Sequence, residues 1–374
     1  MSTPIALPGI DGANPLGFLC ALGVLAALQP SAPGAKLAWE RRAGWSPRLT
    51  LPEGLGPEDL VSRLAAALRG APVAEANDAA RDEARKQLDG ALTKAKHARD
   101  SVKSRKLRGA ERDAALAAEV APLQARVTEL RLAWLAALRD SVPSPELLFG
   151  LHVACAPEEY SRNAGGLLEH ASAANRLGAD FLAAFFADTT PDKSGRVPAT
   201  PFCFTTGSGN QWFLDTARKL MANTSAERIR DTLFSPWTYR DERLSMRWDP
   251  IENKQYALLD LNPSSTGART QWVANLLAYR GLTLFPMAPT SRGAACTGWS
   301  APGQEPRFSW PLWQTPLGAD AIRSLLQLEA LACARPSSSP ELAARGVVAA
   351  FRSRRLRVGN APLYKINFSP AQAV

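Results

Sequence analysis

The residues of this 374-residue chain best suited to chemistry are cations and amides rather than acids or nucleophiles. Thr205–Gln211 (TTGSGNQ) follows the extended, Pro/Phe/Thr-rich stretch Pro198–Phe204 and precedes a helix predicted to run to about Met221. In that context backbone N–H groups at a helix N-terminus can hold a phosphate. The loop has neither the lysine of a P-loop nor the GxGxxG spacing of a dinucleotide fold. Ser208, Gly209, Asn210 and Gln211 offer small or amide groups able to enter a DNA minor groove and reach base edges or sugars. An ordinary glycine turn capping a helix accounts for the same residues.

A second constellation is Arg352, Arg354, Arg355 and Arg357 in a strand-like segment. Alternation along a strand puts Arg352 and Arg354 on one face and Arg355 and Arg357 on the other. The expectation is therefore that this is not a buried central strand, and that at least one face meets solvent or a polyanion. No acid occurs from Leu342 to Val374, and the planar guanidinium fork suits phosphate. A third constellation, Lys103, Arg105, Lys106 and Arg108, falls at a predicted break between helices. It reads equally as a contact for duplex phosphates and as a solvated loop.

Catalytic patterns are thin. Asp241, Glu242, Asp249 and Glu252 come without a DxD, a carboxylate–histidine pairing or a GxSxG. The three histidines (His97, His152, His170) make no HxxxH or HExxH, and the five scattered cysteines make no CxxC. No metal, no cofactor and no active site of its own are expected, and the cysteines read as reduced, packed thiols. Trp237, Trp248, Trp272, Trp299, Trp310 and Trp313 can in principle stack on bases. Core packing is the expected role.

The elements that must position these groups follow from texture. The composition, 46% hydrophobic and 21% charged, supports a real core and excludes a collagen-like, coiled-coil-only or disordered chain. The net charge is +9, with eleven Lys/Arg against five acids within 81–112 and six Lys/Arg from 342 onward; the remainder is slightly acidic. Two basic stretches on a near-neutral body point to phosphate-contacting surfaces.

The apolar run Leu16–Leu28 is shorter than the roughly 20 residues that span a bilayer. Only Asp11 among charged residues precedes it, which does not fit a signal peptide. It predicts a buried helix with Asn14 as N-cap and Pro15 in the first position, and a cytoplasmic protein without membrane partners. Residues 75–140 are rich in Ala, Arg, Lys, Glu and Leu. With Leu123, Val127, Leu130 and Trp134 on one helical face, they predict a hairpin of long helices broken around Ser101–Gly109. The expected fold is α+β, a mixed globular body with an inserted long helical hairpin. Its parts are 1–74, the basic helical insertion 75–140, the continuation 141–335 with the Gly-rich loop, and a basic strand-like segment 336–374. Helices are expected over 164–186, 271–280 and 320–331, and paired strands over 232–262, where aromatics alternate.

Four stretches together carry a family resemblance: Ala13–Ala26 (ANPLGFLCALGVLA), Ser245–Leu258 (SMRWDPIENKQYAL), Ala274–Gly293 (ANLLAYRGLTLFPMAPTSRG) and Gly298–Trp313 (GWSAPGQEPRFSWPLW). They resemble the large subunits of type I CRISPR surveillance complexes (Cascade), of the subtype I-G kind. The resemblance implies a noncatalytic subunit of an RNA-guided antiviral defence complex, near the 5′ end of the guide RNA. There such a subunit binds target double-stranded DNA, recognises the protospacer-adjacent motif, promotes duplex opening and R-loop formation, and recruits a helicase-nuclease. Its partners would be the CRISPR guide RNA, the target DNA, the other Cascade backbone subunits and that nuclease. The resemblance assigns motif reading to Ser208, Gly209, Asn210 and Gln211, duplex grip to Lys103, Arg105, Lys106 and Arg108, and guide RNA or a neighbouring subunit to Arg352–Arg357. The chain departs from the family in ending on a basic strand where large subunits often carry a helical bundle. Two other classes remain open at this point: a protein-binding scaffold, and a phosphate- or nucleotide-binding enzyme using Thr205–Gln211.

Overall fold

Asn14 and Pro15 start the first helix, α1 (Pro15–Leu28). The Asn14 side chain accepts from the Leu16 N–H at 2.8 Å, and proline at the first helical position gives up no intrahelical bond. Every residue of α1 except Ala26 is buried, which makes this apolar helix a core element. The computed structural model describes residues 4–52, 55–69, 75–141, 149, 153–169, 171–172, 176–205, 212–252, 269–358 and 365–374. By contact the chain divides into one unit of 1–69 with 148–374 and a second of 70–147. The fold class is α+β. Among the described residues no helix is long and apolar enough to cross a membrane.

In the larger unit, β1 (Ile5–Ala6), β2 (Lys36–Arg41) and β3 (Trp45–Thr50) form an antiparallel sheet in the order β1-β3-β2. Helix α2 (Pro57–Arg69) buries Leu60, Val61, Leu64 and Leu68 on one face. The second unit consists of α3 (Glu75–Ser104), α4 (Gly109–Ala115), one wide turn over Leu116–Val120, and α5 (Ala121–Ser141). The larger unit then resumes with α6 (Pro157–Leu168), α7 (Leu177–Phe185), α8 (Phe213–Ala222), α9 (Ala226–Phe234) and α10 (Trp272–Gly281). The short pair β4 (Asp241–Glu242) and β5 (Arg269–Thr270) precedes α10, and the hairpin β6 (Met287–Thr290)–β7 (Gly293–Cys296) comes after it. Last come β8 (Arg307–Trp313), α11 (Ala319–Leu326), α12 (Pro340–Ala344), β9 (Val347–Val358), β10 (Lys365–Phe368) and β11 (Gln372–Ala373). In this C-terminal sheet β9 is central, with β8 along one edge and β10 and β11 along the other.

The core of the larger unit is built where α1 crosses α10. A Cβ on Gly23 would lie 1.7 Å from the Leu277 carbonyl oxygen, and one on Gly281 would lie 2.4 Å from that of Leu19. The two backbones therefore touch, and only glycine fits at either point. From the crossing, Phe18 reaches into an aromatic cluster. It stacks on Trp39 and Trp310 with ring centres 5.9 Å away, and Trp313 meets it edge-on at 6.4 Å. The Trp310 indole donates to the Gly12 carbonyl at 2.8 Å, and that of Trp313 to the Leu37 carbonyl at 2.7 Å. The N-terminal sheet, α1 and the C-terminal sheet are thus joined through aromatic rings, with the indoles of Trp310 and Trp313 satisfied.

Three expectations about elements fail, one of them the helix over 320–331: α11 ends at Leu326 and a separate 3-10 turn follows at Glu329–Ala332. The span 164–186 is not one helix, because α6 ends at Leu168 and α7 begins at Leu177. Nor do paired strands run through 232–262: among its described residues the strand is the two-residue β4 (Asp241–Glu242), which pairs with β5 outside that span. Helix α9 runs to Phe234, and Tyr239, Arg243, Leu244 and Arg247 take left-handed backbone angles (φ 49°, 62°, 44° and 64°) that break an extended path. Of the aromatics that suggested alternation, Trp248 is fully buried, its indole donating to the Phe202 carbonyl at 2.9 Å. Residues 253–268 lie outside the described residues.

The crossing makes a direct prediction. Gly23→Ala should lower unfolding free energy by about 3 kcal/mol through overpacking against Leu277. Gly90→Ala, in α3 with open space around it, should raise helix stability by about 0.5–1 kcal/mol. Denaturant unfolding of the two variants checks the contrast.

Candidate nucleic-acid interface

The helical unit presents its cations through a tight turn. Leu88 and Val102 of α3 are buried, as are Val120, Val127, Leu130 and Trp134 on the other arm, and Arg85 lies over the Trp134 ring at 5.2 Å. The reversal at 105–108 is made by Lys106, at φ 54°, and Gly109, at φ 53°, the left-handed conformation that lets a helix end and the chain turn. Lys103, Arg105, Lys106 and Arg108 are all exposed. Arg105 is ion-paired with Glu119 at 2.6 Å, a surface contact worth about 0.2–1 kcal/mol. Among the described residues no carboxylate pairs with Lys103, Lys106 or Arg108.

The four predicted motif-reading residues, Ser208, Gly209, Asn210 and Gln211, lie outside the described residues. Their flanks are described: Thr205 is buried, and α8 starts at Phe213 without a side-chain cap from Trp212. The first turn of α8 already holds a carboxylate, the buried Asp215, ion-paired with Lys219 at 2.7 Å. A phosphate arriving at this N-terminus would meet that negative charge.

The C-terminal arginines sit differently from the expectation. The strand that carries them, β9, is central and paired on both edges, and Arg352, Arg354 and Arg355 have partners inside the unit. Arg352 is half-buried; its guanidinium donates to the Ser309 hydroxyl at 2.8 Å and to the Leu331 and Cys333 carbonyls at 3.3 and 2.7 Å. Arg355, on the opposite face, lies over the Phe204 ring at 5.3 Å and reaches the Cys203 carbonyl at 3.5 Å. Arg354 is exposed and lies 3.5 Å from Glu305, which also takes Arg307. Arg307 and Arg354 are directly opposite across the strands, a like-charge pair that would repel. Glu305 relieves it, and those two guanidiniums hold its carboxyl below the usual carboxylate range. The expectation that these arginines lack nearby acidic compensation is thus corrected: Glu305 precedes the segment in sequence and is brought to it by the β8–β9 pairing. Arg357 is exposed. Charged residues on both faces are tolerated in a central strand because carbonyls, an aromatic ring and one carboxylate meet them.

The chain matches no family model and no curated protein.

The structure also contains a buried polar network that sequence patterns do not announce. Glu252 is fully enclosed and accepts from the Ser245 and Thr270 hydroxyls. Asn275 of α10 donates to the Thr270 hydroxyl at 2.9 Å and accepts from the Met246 N–H at 2.9 Å. Asp249, three residues before Glu252, accepts from Asn14, Tyr239 and the Ile251 N–H at 2.9, 2.8 and 2.9 Å. Burial and the neighbouring Asp249 push the Glu252 carboxyl up to about 7, with the hydroxyls and Arg247 offsetting part of the shift. Burial likewise raises Asp249. Among the described residues no group of three or more His, Cys, Asp and Glu side chains is placed to hold a metal ion. The thiols of Cys155 and Cys203 are pushed up to about 11 and about 12 by burial, which suits packed thiols rather than nucleophiles.

Because Glu252 binds its proton more tightly folded than unfolded, the folded state holds more protons between about pH 4.5 and 7, and stability falls as pH rises through that window. The full ionisation cost is roughly 3 kcal/mol. Glu252→Gln should remove this fall, leaving the variant more stable than the parent at pH 8 and flattening the Tm–pH profile measured by thermal melts.

Proposed function

We propose that the chain is the noncatalytic large subunit of an RNA-guided Cascade-type complex, which engages target double-stranded DNA through its helical unit. The observation that carries this reading is the exposed turn between α3 and α4. It presents Lys103, Lys106 and Arg108 without a carboxylate partner among the described residues, while arginines of the other basic segment are held within their own sheet. Exposed cations without carboxylates to leave cost little to bring onto phosphates, and they release counterions when they get there. Three of the four stretches that carry the family resemblance supply α1, α10 with the β6 turn, and β8. The resemblance therefore rests on elements that build the core.

In this reading the hairpin supplies salt-dependent grip and base pairing by the guide RNA supplies sequence specificity. The loop Ser208–Gln211 reads the short adjacent motif, an assignment resting on sequence alone. Arg354 and Arg357, the exposed members of the C-terminal set, face guide RNA or a neighbouring subunit. Arg352 acts instead as a brace for the 331–333 segment. Helicase-nuclease recruitment comes from the family resemblance.

The test is binding to a short duplex library with a randomised motif position, by the chain alone and with its co-purifying subunits and RNA. The expected result is motif-dependent binding that sharpens in the complex. The double variant N210A/Q211A should lose most of its affinity for motif-bearing duplex and little for motif-less duplex. Equal loss on both would remove motif reading from the loop, and binding indifferent to salt would favour a protein-binding scaffold.

A further inference from the structure

The second arm of the hairpin contains an irregularity that the proposed function does not use. Between α4 and α5 the backbone widens into one π turn at Leu116–Val120, where the Ala121 N–H donates to the Leu116 carbonyl five residues back. A π turn inserts one residue into a helix and so rotates the stretch on its N-terminal side by about 100° relative to the stretch on its C-terminal side. Beside this turn a groove of about 300 Å³ lies between α3 and the second arm. Val102 and Val120 are buried in its floor beside half-buried Leu116, and Arg99, Lys103, Arg112 and Gln124 stand exposed around it.

The chemistry of this groove is one-sided. Three of its residues are cations, none is an acid, and among the described residues none of the three cations has an ion-pair partner. Cations of the same hairpin outside the groove are often paired: Arg105 with Glu119, Arg85 with Asp89, Arg126 with Glu129. Arg99 and Lys103 are one turn apart on α3, about 6 Å along the axis, and Arg112 faces them from the other arm. Two guanidiniums and an ammonium around an apolar-floored slot suit successive phosphodiesters. The oxygens take the forked donors, and the sugar carbons lie against half-buried Leu116. A carboxylate-bearing peptide would find no amide-binding edge there, because the backbones of both arms are occupied by their own helical bonds.

We propose that this π-turn groove, through Arg99, Lys103 and Arg112, is the seat for the sugar–phosphate backbone of duplex DNA. The cations at the tip, Lys106 and Arg108, steer the duplex rather than seat it. The proposal rests on the reading of the helical unit as a DNA-binding element and adds Arg99 and Arg112, which sequence spacing did not single out.

The test compares two charge reversals of equal size in the full chain, R99E/R112E within the groove and K86E/K94E on α3 outside it. Duplex DNA binding is titrated with salt, and thermal melts establish that both variants fold. R99E/R112E should lower affinity by about tenfold or more and flatten the log K–log salt slope by about 2, with K86E/K94E changing both far less. Equal effects from the two pairs would overturn a discrete seat while leaving DNA binding by the hairpin intact. An effect from K106E/R108E with none from R99E/R112E would also overturn the groove and keep the wider reading. A parent chain that binds no duplex would overturn both.

Discussion

The larger unit depends on the distance between two helices. Because Gly23 and Gly281 present no side chain where α1 meets α10, the backbones come into contact, and the helices lie closer than side-chain packing normally allows. That approach fixes what each helix can reach. From α1, Phe18 enters the ring cluster of Trp39, Trp310 and Trp313 that joins the two sheets. From α10, Asn275 reaches the Ser245–Glu252–Thr270 network. Even the N-cap takes part, since Asn14 both caps α1 and donates to Asp249. The aromatic core and the buried polar core are thus two consequences of one close crossing.

The two basic stretches, alike in sequence, differ in how their charge is held. In the C-terminal sheet the guanidiniums are structural partners: Arg352 braces carbonyls, Arg355 covers Phe204, and Arg354 shares Glu305. Charge so engaged gains little from a new anion, because an existing contact must first be broken. Around the α3–α4 turn and the π-turn groove, cations stand exposed without carboxylate partners among the described residues. A polyanion finds charge there ready to be neutralised, and this asymmetry points the nucleic-acid reading at the helical unit.

What the sequence made legible was local. The Asn14–Pro15 start of α1 and the apolar stripe of α5 both rest on neighbours within a few residues. What it hid was long-range. Glu305 compensates Arg354 from 49 positions away, and Phe204 meets Arg355 across the whole central part of the chain. The acids Asp249 and Glu252 show no catalytic spacing, and their partners are scattered from Asn14 to Thr270. The aromatic alternation of 232–262 mimicked strands, whereas over 235–252 the backbone turns at left-handed residues and carries just the two-residue β4. The π turn carries no composition signal at all, since Leu116–Val120 reads as ordinary helix.

The most direct test is to ask where on the chain a bound duplex lies. Photo-crosslinking of a backbone-labelled DNA duplex to the full chain, with peptide mapping of the products, should place the cross-links within 99–112, on the groove and the adjoining turn. Cross-links confined to the C-terminal sheet, with 99–112 unmodified, would contradict the assignment of DNA binding to the helical unit.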